Sequence, residues 1–221
     1  MTSQQPGFPP EPDGRRRRGG AGDGALDTAL GRAATLMVAW LALLWVLVGV
    51  DGVLDHRLLR SGGIMPRQVG SLPDILTAPF LHANVQHVAA NSTGLLGLGL
   101  LAALTGIRRF LAVTVMIAVI SGLGAWLLDP AGTIGVGASG LVFGYLGYLL
   151  LRGFVDRRPV DVLLTVAVAL GWGYLLFGIV AGGPAVSWQA HLFGFLGGLF
   201  AAWAFRRRRR TRPQPGQTQP A

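Results

Sequence analysis

The chain has 221 residues, 51% of them apolar and only 13% charged, with a net charge of +9. The charges are gathered in short clusters and leave long uncharged stretches, which is the composition of a polytopic membrane protein and not of a soluble domain. The absence of cysteine excludes disulfides, thiolate metal sites and a cysteine nucleophile, and every basic residue is an arginine, most of them beside an apolar run, so membrane topology accounts for the charge better than nucleic-acid binding does.

Taken in order, residues 1–30 are rich in Pro, Gly and Arg and read as a disordered tail. Residues 31–205 form one predicted membrane domain, all-α, with six transmembrane helices. The first covers Ala33–Val50 and is closed by Asp51. A long loop, 51–79, follows; its length marks it as a functional connection. The second span runs from about Phe80 to Leu104 and opens on His82, Asn84, Gln86, His87 and Asn91. The third covers Phe110–Leu128. The fourth begins near Gly135 and ends at Arg152. The fifth runs from Val160 to about Val180, and the sixth from Ser187 to Phe205. Residues 206–221 read as a basic, disordered tail.

Six spans place both termini on one side. Every arginine except Arg57, Arg60 and Arg67 falls on that side, so the termini are predicted to be cytoplasmic. Spans two, four and six then all start at the outer face, and each start carries polar residues. Counted from the arginines at about 1.5 Å per residue, Ser139 lies ~20 Å, His191 ~22 Å and Asn91 ~25 Å above the inner boundary. His87 sits one turn beyond Asn91. In a hydrocarbon core ~30 Å thick these groups share one layer.

An unpaired hydroxyl, amide or imidazole facing lipid costs several kcal/mol, so helices bearing such groups at one depth gain by turning them inward. His87 and Asn91 share a face at i, i+4. Gly140 and Gly144 on span four, and Ala190, Gly194 and Gly198 on span six, supply the small-residue period that lets membrane helices approach closely. A serine brought beside a histidine is the minimum for nucleophilic catalysis. His87, Asn91 and the Ser139 N–H are candidate oxyanion donors. No Asp or Glu falls within spans two, four or six, so any such pair is a dyad, with Phe143 the candidate to hold the imidazole by packing. Against this, a serine in a glycine-rich membrane helix is ordinarily a packing residue. The soluble hydrolase elbow is also missing, because Leu141 stands where its last glycine would be. His56, between Asp55 and Arg57, reads as a surface residue. A haem or metal carrier using His87 and His191 would have a thin ligand set, and a transporter would need charges within the spans.

His82-x4-His87-x3-Asn91, Gly137-Ala-Ser139-Gly140 and Ala190-His191-x2-Gly194-x3-Gly198, in that order and on spans two, four and six, resemble the motifs of the rhomboid intramembrane serine proteases. The likeness covers about residues 30–210. It implies Ser139 as nucleophile and His191 as general base. It also implies His87 and Asn91 as the oxyanion hole and His82 in a supporting position. Gly137, Phe143 and Gly194 would shape the site. It implies transmembrane protein substrates within the lipid of a cell membrane, with no metal, cofactor or nucleic acid. The all-arginine usage suggests a bacterial source. The alternative is a non-catalytic relative that binds transmembrane clients. The family's Trp-Arg pair in the first loop is replaced here by Pro73-Asp74.

Overall fold

In the computed structural model, residues 20–180 and 186–206 are described. The tails lie outside that range, except that residues 20–30 are the first turns of a helix. Helix α1 spans Gly20–Val53, well before the apolar run itself begins. A reversal through Asp55 and His56, both at positive φ, leads to α2, Arg57–Gly62. Asp51, buried near the end of α1, accepts the N–H groups of Leu58 (2.8 Å) and Leu59 (3.3 Å) and so caps α2. His56 is exposed, its Nδ1 3.4 Å from Asp51.

The rest of the long loop is a chain of short 3-10 turns, Val69–Ser71, Pro73–Ile75 and Ala78–Phe80. Pro73 and Asp74 open the second of them. The loop is fastened to its neighbours by backbone bonds. Ile64 and Gly135 form an isolated antiparallel bridge, Arg67 N–H donates to Trp126, and Gly137 N–H donates to the Ala78 carbonyl at 2.9 Å.

Helix α3, Val85–Gly94, starts five residues later than Phe80, because Asn84 caps it by accepting the His87 N–H at 2.8 Å. It continues through a π-helical turn, Leu95–Gly99, into α4, Leu100–Ala103. Within that turn Gly97 abuts the Trp172 indole, and a Cβ there would overlap the ring. Helix α5 is Ile107–Leu128, α6 Ser139–Asp156, and α7 Pro159–Trp172. A 3-10 turn, Gly173–Leu176, joins α7 to α8, Phe177–Val180, and α9 is Trp188–Ala204. The fold is therefore helical, and among the described residues three helical stretches are long and apolar enough to cross a membrane: Thr28–Val53, Ile107–Leu128 and Pro159–Ile179.

Helix α6 is the axis. It is buried along nearly its whole length and packs against α9 through backbone-to-backbone contact. A Cβ on Gly194 would overlap the Gly140 carbonyl oxygen, and one on Gly198 the Gly144 carbonyl oxygen. On the opposite side Gly144 receives Ile117 of α5. The expected start of this helix at Gly135 is displaced: residues 135–138 run from the bridge at Gly135 through a bend at Gly137 and a turn at Ala138, and Ser139 is the first helical residue.

Its end is displaced too. Arg152 is not a boundary residue facing solvent. It is 8% exposed and lies inside α6, where its guanidinium meets Asp161 of α7 at 2.7 Å and Asp156 at 3.4 Å. Arg109 of α5 adds a contact to Asp156 at 3.7 Å and a hydrogen bond to the Phe205 carbonyl. Charges can leave water here because each is met by an opposite one.

Candidate functional site

Ser139 opens α6, and the loop before it is set by three bonds or constraints. Gly137 has φ +117°, a conformation that favours glycine, and a Cβ there would lie 2.6 Å from His87 Nε2. The Ala138 N–H donates to His82 Nε2 at 3.3 Å. Gly137 N–H is held by Ala78, as above. His82 is 2% exposed, and its ring meets that of His87 edge-on at 5.0 Å. It stands behind the site and lines no part of the cavity.

That cavity, of 950 Å³, is lined by Ser139, His191, His87, Asn91, Gly137 and Phe143, among others. The polar residues that the sequence puts at one depth thus face one space. Ser139 is half-buried, His191 and Asn91 buried. The His191 ring stacks on Phe143 at 4.2 Å between centroids and 17° between planes. Its Nδ1 is 3.5 Å from the Gly178 carbonyl of α8. Among the described residues no hydrogen bond joins Ser139 to His191; both line the cavity beside the α6–α9 seam, where Gly194 meets the Gly140 backbone. Such bonds are commonly long in unliganded hydrolases and tighten around substrate.

Asn91 Nδ2 is buried with no hydrogen-bond partner among the described residues. A buried amide left so costs about 1–3 kcal/mol. The N–H groups of Ser139 and Gly140 open a helix, where no intrahelical acceptor exists, and both residues line the cavity. Together with the positive end of the α6 dipole they form a donor-rich wall suited to a developing negative charge. Among the described residues, no three His, Cys, Asp or Glu side chains gather as a metal-binding group.

Several supporting residues were not legible in the sequence. Ser121 of α5 donates to the Ala190 carbonyl at 2.8 Å, its hydroxyl filling the notch left by Gly140. Asp129, the C-cap of α5, lines the cavity and accepts a 2.8 Å hydrogen bond from Ser187, the N-cap of α9. Burial pushes its carboxyl above the usual range, opposed by the Ser187 bond and the Arg67 charge. The one signal in the chain was Ser187 just ahead of an apolar helix.

A helical bundle with candidate membrane spans, folded around a cavity onto which several polar side chains converge, defines the class as a membrane protein. The rhomboid domain model matches residues 69–208. An uncharacterized protein of Mycobacterium tuberculosis is 37% identical over 177 residues, which is 76% of this chain and 73% of that one. The putative rhomboid protease YdcA of Bacillus subtilis is 27% identical over 180 residues, covering 76% of this chain and 86% of its own length. The rhomboid protease GluP of the same organism is 28% identical over 137 residues, 59% of this chain and 25% of GluP. The chain belongs to the rhomboid family.

Proposed function

We propose that this protein is a serine endopeptidase that hydrolyses peptide bonds in or near transmembrane segments of other membrane proteins, using Ser139 and His191. The observation that carries the reading is the single cavity onto which Ser139, His191, His87 and Asn91 all open. The topology that goes with it has six spans and cytoplasmic termini, supported by the arginine distribution.

In this reading Ser139 Oγ attacks the scissile carbonyl carbon while His191 takes its proton. With Nδ1 turned to the Gly178 carbonyl, Nε2 is the nitrogen left to act as base. The carbonyl oxygen gains the negative charge and is met by Asn91 Nδ2, by His87 and by the N–H at the head of α6. As the tetrahedral species collapses, the C–N bond breaks and His191 returns the proton to the leaving amine. Water, deprotonated by the same imidazole, then releases the acyl group from Ser139. Phe143 replaces the carboxylate of a triad by holding the imidazole plane through stacking.

The test is co-expression with a single-span substrate. Ser139→Ala and His191→Ala are each expected to abolish cleavage at unchanged membrane levels; cleavage at the parent's rate in either variant sinks the assignment. The missing Ser139–His191 hydrogen bond favours a second reading, a non-catalytic rhomboid-like protein that binds transmembrane clients. A serine-reactive fluorophosphonate that labels the folded parent but not Ser139→Ala rules that reading out.

A further inference from the structure

Among the described residues lining the cavity, Asp129 is the one carboxylate. Among the described residues it forms no hydrogen bond or ion pair with His191, yet it stands at the head of a short chain of bonds that ends there. Asp129 Oδ1 accepts the Ser187 hydroxyl proton at 2.8 Å. Ser187 Oγ in turn accepts the Ala190 N–H at 2.9 Å, and the Ser187 carbonyl accepts the His191 N–H at 3.3 Å. A hydroxyl has one proton and two lone pairs. Where Asp129 takes the proton, the lone pair is aimed at Ala190, and the cap acquires a fixed direction. The negative charge also lies at the positive end of α9, where a helix favours it.

The same turn is fastened twice more to α5, by Gln189 Nε2 on the Leu128 carbonyl (3.1 Å) and by Ser121 on Ala190. On the far side the Arg67 guanidinium donates to the carbonyls of Leu127 and Asp129, which ties the first loop to the same corner. We propose that Asp129 is a positioning residue for His191, acting through Ser187 to fix the first turn of α9 against α5 and so to set where the imidazole stands relative to Ser139. The inference rests on the reading of Ser139 and His191 as a catalytic pair.

The experiment uses the full chain in proteoliposomes with a single-span substrate, and a fluorophosphonate as an independent reporter of Ser139 reactivity. Asp129→Ala is expected to lower kcat about 10- to 100-fold, the scale on which small misplacements of reacting groups act. KM should stay within about twofold, and probe labelling should slow in parallel. Asp129→Asn, whose Oδ1 still accepts from Ser187, should recover most of the rate. Ser187→Ala should reproduce the defect, and the double variant should be no worse than either single one. If Asp129→Ala does not fold, Asp129→Asn and Ser187→Ala carry the test. The inference is overturned if folded variants keep kcat and labelling within twofold, if the defect is in KM alone, if the Asn variant is as poor as Ala, or if the two defects multiply. A parent that neither cleaves nor labels in a Ser139-dependent way defeats the underlying assignment instead.

Discussion

The two ends of α6 are both polar and both buried, and they differ in whether the polar atoms are used. At the Arg152 end, guanidinium and carboxylate groups from α5, α6 and α7 neutralise one another. The atoms left over there, Arg109 Nε and Asp161 Oδ2, belong to groups already paired through other atoms. At the Ser139 end, Asn91 Nδ2 is buried without a hydrogen-bond partner among the described residues, and Ser139 and Gly140, at the N-terminus of the helix, line the cavity. The comparison separates a cluster whose hydrogen-bonding capacity is consumed in holding helices together from one whose capacity, in the proposed reading, is kept for a ligand. Burial alone does not mark a site; burial with unused valence beside a cavity does.

The largest expected effect breaks the first cluster. Asp161→Ala leaves the Arg152 guanidinium buried with only the longer contact to Asp156, a change worth about 3–5 kcal/mol of stability. Thermal unfolding in detergent should show it. Replacing both partners by apolar residues, as in Arg152→Met with Asp161→Leu, should cost less than the single change, because no uncompensated charge remains. A double variant worse than Asp161→Ala would mean that the pair adds net stability. The next effect sharpens the contrast from the other end. Asn91→Ala removes an amide whose Nδ2 has no hydrogen-bond partner among the described residues, so its loss should leave stability unchanged or slightly raised. Its cost should appear in kcat, on the order of 100-fold for one oxyanion donor. If Asn91→Ala instead lowers the unfolding midpoint and spares kcat, the free amide is structural and the comparison fails.

The legible part of the fold was what apolar continuity alone can specify. Long uncharged runs announced α1, α5 and the α7–α8 stretch, and the small-residue period on α6 and α9 announced their close contact. The convergence of His87, Asn91, Ser139 and His191 on one space was legible because stranded polar groups at one depth have few places to go. What escaped were features that depend on a partner far away in sequence. Arg152 reads as the end of a span until Asp161 is seen to receive it. Asp129 reads as the end of a helix until Ser187, 58 residues on, donates to it. The π turn at Leu95–Gly99 has no local signature; its Gly97 is seen to abut Trp172 only in three dimensions.

The smallest expected effect tests whether Asp129 belongs with the consumed valences or the kept ones, since it lies in the cavity wall yet is bonded to Ser187. Its carboxyl is pushed above the usual range chiefly by burial, with the Ser187 bond and the Arg67 charge pulling the other way. A carboxyl whose folded pKa exceeds its unfolded one binds more protons in the folded chain over the interval between them. Its contribution to stability is therefore complete below the unfolded value of about 3.9 and is lost as pH rises through the folded value. The parent should become slightly less stable with rising pH over that window, and Asp129→Asn should lack that slope, read as the difference between the two unfolding midpoints at each pH. Activity should run the opposite way, because the charged form makes the stronger bond to Ser187. A residue kept only for packing would show one trend in both measurements. Opposed trends would mean that the ionised carboxylate is retained at some expense in stability because it orients the turn that carries His191.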